Sequence, residues 1–154
     1  MKKSLNNDDV FYTIAWSRTF RYDKHEAGRV LPELSGIIHL EEDVPREDKP
    51  CLLYYGCWRE GLRLGLKNLL DPYFTKFPEV TRQLHAKKFL YRYTVVDSSP
   101  ADMRDLLYWL IQNYGPLLNN PVDFTDSRRY ENIFVKEMEL REDEVVERLP
   151  KTGL

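Results

Sequence analysis

Long apolar runs are missing from this chain. No uninterrupted hydrophobic stretch approaches the roughly 18 residues that a membrane helix needs, so a bilayer-spanning segment is not expected. Cysteine is scarce as well. Cys51 and Cys57 lie six residues apart with no second pair, which excludes a disulfide scaffold and argues against a structural zinc site. The same scarcity points to reduced thiols in a cytoplasmic protein, with a single disulfide left open. An excess of one charge is also absent. Twenty-three basic residues against 25 acidic ones leave a net charge of -2, so overall charge neither requires nor excludes a nucleic-acid partner. The opening MKKSLNNDDV has two lysines but no apolar core behind them, and no secretory signal is expected there. The histidines His25, His39 and His85 show no ligand spacing, and their ordinary reading is a surface or hydrogen-bonded core residue. No Ser-His-Asp order, phosphate-cradling glycine loop, dinucleotide fingerprint or internal repeat is present.

What is present is organised around residues 35–70. Two apolar runs, Gly36–Leu40 and Cys51–Tyr55, are of strand length and bounded by turn or charged residues, which predicts a strand pair near 36–40 and 51–56. The link between them, EEDVPREDKP, is acidic, contains two prolines and reads as a solvated loop. Beyond Gly56, residues Leu62, Leu66, Leu69 and Leu70 keep helical spacing, with Arg59, Arg63 and Lys67 four apart on another face. A basic amphipathic helix is therefore expected over about 59–70.

On either side the pattern is more uneven. Residues 1–9 are polar and read as frayed, Val10–Trp16 reads as a strand, and the polar stretch 17–29 has no clear period. A short helix is expected to start at Pro78, and Lys88–Val96 alternates as a third strand of the sheet. Ser99-Pro100-Ala101-Asp102 opens a helix that runs to Tyr114 and stops at Gly115-Pro116. Ile133–Leu140 reads as a strand and Glu142–Arg148 as a short acidic helix. The expected fold class is α/β: a small sheet of about three strands flanked by helices, in one domain over residues 1–154, with additions at both ends.

The ordered set Gly36-Ile37-Ile38, Tyr54-Tyr55-Gly56 and a Leu/Arg-rich helix resembles the GIY-YIG nuclease superfamily, and in particular the N-terminal nuclease domain of the bacterial excinuclease. The lead-in Leu31-Pro32-Glu33-Leu34-Ser35 is similar to that domain's entry. Thr94–Ser98, Leu106–Ile111 and Pro116-x-x-Asn119 resemble its closing helix and end. The likeness spans about 31–119, leaving 120–154 as a C-terminal extension. It implies a three-stranded sheet with helices against it. It also implies phosphodiester chemistry shared among two tyrosines, a helix arginine and a metal-binding glutamate. Carried over residue by residue, the first tyrosine falls on Ile38 and the second on Tyr54. The arginine falls on Leu64, or on Gly65 with one inserted residue, flanked by Arg59 and Arg63. The glutamate falls on Leu107.

The frame is thus kept while most of the chemistry is replaced, since leucine supplies no oxygen ligand to a hard cation. Tyr54 and Arg63 are the remaining catalytic candidates, and Asp102, Asp105 or Glu137 would have to enter the site to replace the missing acid. No cofactor is expected, with Mg²⁺ or Mn²⁺ required only if the chain cleaves. Residues 52–95 hold eight basic and three acidic side chains, a local net charge of +5 interleaved with aromatics. Trp58, Arg59, Arg63 and Lys67 are the candidate nucleic-acid contacts, with Trp58, just past a strand, expected to be exposed. The first functional expectation is a nuclease-like module with lost or altered catalysis that binds DNA, RNA or a repair protein. The second is an active metal-dependent DNA endonuclease with rearranged residues. The third is a protein-interaction module that uses the fold alone.

Overall fold

Four strands between residues 20 and 95 build one antiparallel sheet. The computed structural model describes residues 1–45 and 47–140. Among them are β1 (Lys2–Asn6), β2 (Asp9–Trp16), β3 (Phe20–Arg21), α1 (Lys24–Val30), β4 (Gly36–Glu42), β5 (Leu52–Trp58), α2 (Leu62–Leu70), α3 (Pro78–His85), β6 (Phe89–Val95), α4 (Pro100–Tyr114) and β7 (Asn132–Glu139). The fold class is α/β, as the periodicities indicate. The acidic helix expected over Glu142–Arg148 lies outside the described residues.

The larger sheet has strand order β3-β6-β4-β5, all antiparallel, so that β4 lies between β5 and β6. The register of β4 on β5 shifts between Leu40 and Glu41. The shift leaves Leu53 as the extra residue of a bulge, and Leu53 joins Tyr54 in the same apolar cluster. Ile38, Leu40, Tyr54, Phe89 and Tyr91 pack on that face beneath α1, α2 and α3. The opposite face carries Ile37 and Tyr55 against Leu106, Leu107 and Leu110 of α4 and against Tyr12, Ile14 and Trp16 of β2.

A second, three-stranded sheet has order β1-β2-β7, with β2 antiparallel to β1 and parallel to β7. Both ends of the described chain thus join one sheet through the buried run Asp9–Trp16. The expectation of a frayed N-terminus is corrected here: Lys2–Asn6 is a strand with a largely exposed, polar surface. Asn7, at φ 56°, turns the chain back into β2. An edge strand facing water needs no apolar alternation, which is why composition alone hides it.

The helices begin and end by recognisable chemistry. The Asp23 carboxylate accepts the His25 and Glu26 amides at the start of α1. Ser99 caps α4 and Gly115, at φ 56°, closes it. Helix α2 starts three residues later than expected, because Arg59-Glu60-Gly61 forms the turn that leads into it. Gly61 sits at its N-cap with φ 147°, and the cap is supplied from a distance: the Glu33 carboxylate accepts the Leu64 amide at 3.3 Å. Among the described residues no helix is long and apolar enough to cross a membrane.

Candidate functional site

Helix α2 divides the surface into two cavities. On one flank, a cavity of about 680 Å³ lies between α1 and α2 and is closed by the turn after α2. Its floor is apolar, from Ala27, Leu31, Leu66 and Leu70, and its rim carries Lys24, Arg63, Lys67, Tyr22 and Tyr73. The Arg63 Nε donates to the Leu31 carbonyl at 3.1 Å, which holds the guanidinium over this cavity. One acid, Asp71, also reaches the lining. On the other flank, a cavity of about 290 Å³ is bounded by Tyr54, Trp58, Gly65, Asn68, Phe74 and Lys76, among others.

This division separates the two catalytic candidates. Tyr54 lies with the smaller cavity and Arg63 with the larger, so Arg63 does not reach across α2 to complete a site with Tyr54. The Tyr54 phenol is pushed up to about 12, by burial first and by nearby Cys57 second. It is therefore protonated at neutral pH and unsuited to remove a proton from water. Leu107, where the resemblance assigns the metal-binding glutamate, packs in the apolar cluster on the opposite face of the sheet. Ile38 is likewise fully buried.

Trp58 is corrected from an exposed residue to a half-buried one. It is the last residue of β5, and its indole lies against both Gly56 and Gly65. Parity explains this: Tyr54, Gly56 and Trp58 point to one face, and the gap above Gly56 is filled by the ring two residues on. Arg59 is exposed in the turn between β5 and α2 and lines neither cavity. Of the eight cations in residues 52–95, three are engaged elsewhere: Arg82 with Glu79, Lys87 with Glu42 and Arg92 with Glu139. Among the described residues none of Lys24, Arg63, Lys67 or Lys76 belongs to an ion pair.

The acids considered as substitutes are also committed. Asp105, fully buried on α4, accepts the Ser127 amide at 2.6 Å, the Ser127 hydroxyl at 2.7 Å and Arg129 Nη2 at 2.9 Å. Asp102 accepts Tyr12 at 2.7 Å and both Lys3 and Arg129 at 2.9 Å. These donors hold the Asp102 carboxyl below the usual carboxylate range against the opposing effect of burial. Glu137 accepts the Trp16 Nε1 at 2.8 Å and the Tyr114 hydroxyl. Among the described residues no three His, Cys, Asp or Glu side chains form a group able to hold a metal ion.

Sequence reasoning missed His39. The residue is 8% exposed and its Nδ1 has no hydrogen-bond partner among the described residues, so the ordinary reading as a surface or hydrogen-bonded core residue is corrected. Tyr55 and Arg92 are its neighbours on β5 and β6, and the Trp16 ring stands 5.9 Å away. Burial, followed by the Arg92 charge, pushes the imidazole down to about 4. The available signal was a histidine at the parity of Ile37 inside an apolar strand.

One further contact joins the two ends of the motif set. Asn119 Oδ1 accepts the Tyr55 amide at 2.8 Å and Asn119 Nδ2 donates to the Tyr55 carbonyl at 3.0 Å. The asparagine thereby pairs the edge of β5 as a neighbouring strand would. None of the curated proteins and none of the solved structures compared with the chain matches it. Residues 1–152 match the model of a family described as "Uncharacterised protein", and the chain belongs to that family.

Proposed function

We propose that this protein is a GIY-YIG-like nucleic-acid-binding module of the cytoplasm that binds without metal-dependent cleavage. The observation that carries the reading is the 680 Å³ cavity rimmed by Lys24, Arg63 and Lys67, cations that have no ion-pair partner among the described residues. Cations left unneutralised around one concavity are what a phosphate backbone requires, and each phosphate they neutralise releases counterions. The GIY-YIG frame is supported by the order strand 36–42, strand 52–58, helix 62–70, strand 89–95, helix 100–114 in one antiparallel arrangement. It is supported again by the Asn119 clasp on Tyr55, which ties the Pro-x-x-Asn end to the Tyr-Tyr-Gly strand. Free Cys51 and Cys57 support a reducing compartment.

The case against cleavage is chemical. Of the four catalytic positions that the resemblance implies, Tyr54 alone is retained, and burial moves its phenol further from a usable base. Ile38 and Leu107 present no oxygen, and the space at Gly65 is occupied by Trp58.

The test measures binding of labelled DNA and RNA across a salt series, and incubates the same protein with supercoiled and branched DNA plus Mg²⁺ or Mn²⁺. Expected are salt-sensitive binding, with a slope of about -0.9 in log K against log salt per phosphate on duplex DNA, and no cleavage. Arg63→Glu with Lys67→Glu is expected to weaken binding and flatten the slope. Binding untouched by that pair would refute the cavity as the site. Metal-dependent turnover abolished by Tyr54→Phe would refute the non-cleaving reading.

A further inference from the structure

Three aromatic side chains stand out of the turn between α2 and α3: Tyr73 is 94% exposed, Phe74 69% and Phe77 54%. A single exposed aromatic is unremarkable on a protein surface, but three within five residues form a patch. The turn that carries them is tightly bonded. Asp71 accepts the Tyr73 amide through its side chain at 2.9 Å, and its carbonyl accepts the amides of Phe74 at 3.1 Å and Thr75 at 2.9 Å. The Thr75 hydroxyl accepts the Phe77 amide at 3.0 Å. Thr81, buried beneath, donates its hydroxyl to the Leu69 carbonyl, and its oxygen lies 2.7 Å from the Thr75 hydroxyl. A backbone so constrained presents its rings at little further entropic cost when a partner arrives.

The rings line both cavities. Tyr73 borders the larger cavity with its cations Lys24, Arg63 and Lys67, while Phe74 and Phe77 border the smaller one with Lys76. A chain running from one cavity to the other around the end of α2 passes cations, then aromatic faces, then a further cation. Duplex bases are already stacked on one another and offer no free face, whereas unpaired bases do. Phosphate-tracking cations beside exposed rings are the arrangement that holds single strands.

We infer that the turn Asp71–Phe77 is a base-stacking platform and that the ligand of this surface is a single-stranded polynucleotide. The inference rests on the binding function proposed above and adds strandedness to it. The cations on both flanks, without ion-pair partners among the described residues, favour a polyanion over a neutral apolar protein surface as the occupant.

The experiment measures fluorescence anisotropy of short labelled oligothymidylate, oligouridylate and duplex DNA with the full chain. Wild type, Tyr73→Ala, Phe74→Ala and the Arg63→Glu, Lys67→Glu pair are compared, with thermal melts reporting folding. The exposed positions are suited to truncation without loss of the fold. Single strands are expected to bind more tightly than duplex, with a salt slope of about -0.7 per phosphate. Each aromatic truncation is expected to lower single-strand affinity by roughly fivefold to hundredfold, the equivalent of one stacked base, and to lower duplex affinity by less. The thymidylate and uridylate arms distinguish DNA from RNA as the source of the strand. Equal affinity for single and double strands, or no loss on aromatic truncation, overturns the platform while leaving charge-dependent binding standing. No binding of any polynucleotide overturns both readings.

Discussion

The Trp58 indole fills the space that a side chain at residue 65 would need. A Cβ built on Gly65 falls well inside contact distance of the ring, and one on Gly56 meets the same ring from below. Strand β5 and helix α2 approach closely because both present glycine to this tryptophan.

Gly65→Ala is therefore expected to destabilise the protein by about 1–3 kcal/mol through overpacking, although alanine is the better helix former by about 1 kcal/mol. In a Trp58→Leu background the same substitution should be neutral or stabilising. Urea midpoints of the four proteins give the coupling. An equal cost in both backgrounds would show that the indole is not what excludes the side chain. The pairing also means that Gly65→Arg cannot re-create a helix arginine beside Tyr54 without first evicting Trp58.

Asp105 and Arg129 form the second test. Asp105 is wholly buried, and Arg129 is its only cationic partner among the described residues, while Asp102 retains Lys3. Removing one member of a buried ion pair leaves an uncompensated charge, so Arg129→Met is expected to cost about 3 kcal/mol. Replacing both, with Asp105→Leu and Arg129→Met, should cost less than the two single changes added together. Additive losses in denaturant unfolding would place the stabilisation in packing rather than in the charge pair.

Strand β6 and helix α4 were legible because each shows its period over seven or more residues, and β4 because it is a short continuous apolar run, buried on both faces. Helix α1 was not, since Ala27 is its single buried residue and no stripe forms. The cations of the larger cavity were half legible: Arg63 and Lys67 follow from helical spacing, while Lys24 arrives from another element. That Tyr54 and Arg63 face different cavities could not be read, because it depends on which side of α2 meets the sheet. The Lys3–Asp102–Arg129 network joins residues about a hundred positions apart, and no local pattern encodes it.

His39 provides the pH-dependent test. Its imidazole faces Arg92 across the strand pair, with Tyr55 and Trp16 beside it and Glu137 bonded to Trp16 above. Burial and the Arg92 charge lower its folded value from 6.5 to about 4. Between those values the unfolded chain binds a proton that the folded chain refuses, so folding is penalised as pH falls. The contribution is fully present above pH 6.5 and is lost as the pH drops through about 4. A displacement of this size corresponds to stability on the order of 3 kcal/mol. His39→Phe keeps an aromatic ring against Trp16 and Tyr55 but has no proton to take up. Urea midpoints across this range should therefore decline for the wild type and stay nearly level for His39→Phe. Asp102, whose carboxyl is lowered, loses its contribution only in more acidic solution and does not mask the comparison. If the variant keeps the wild-type slope, the acid sensitivity belongs to other groups and His39 is not its source.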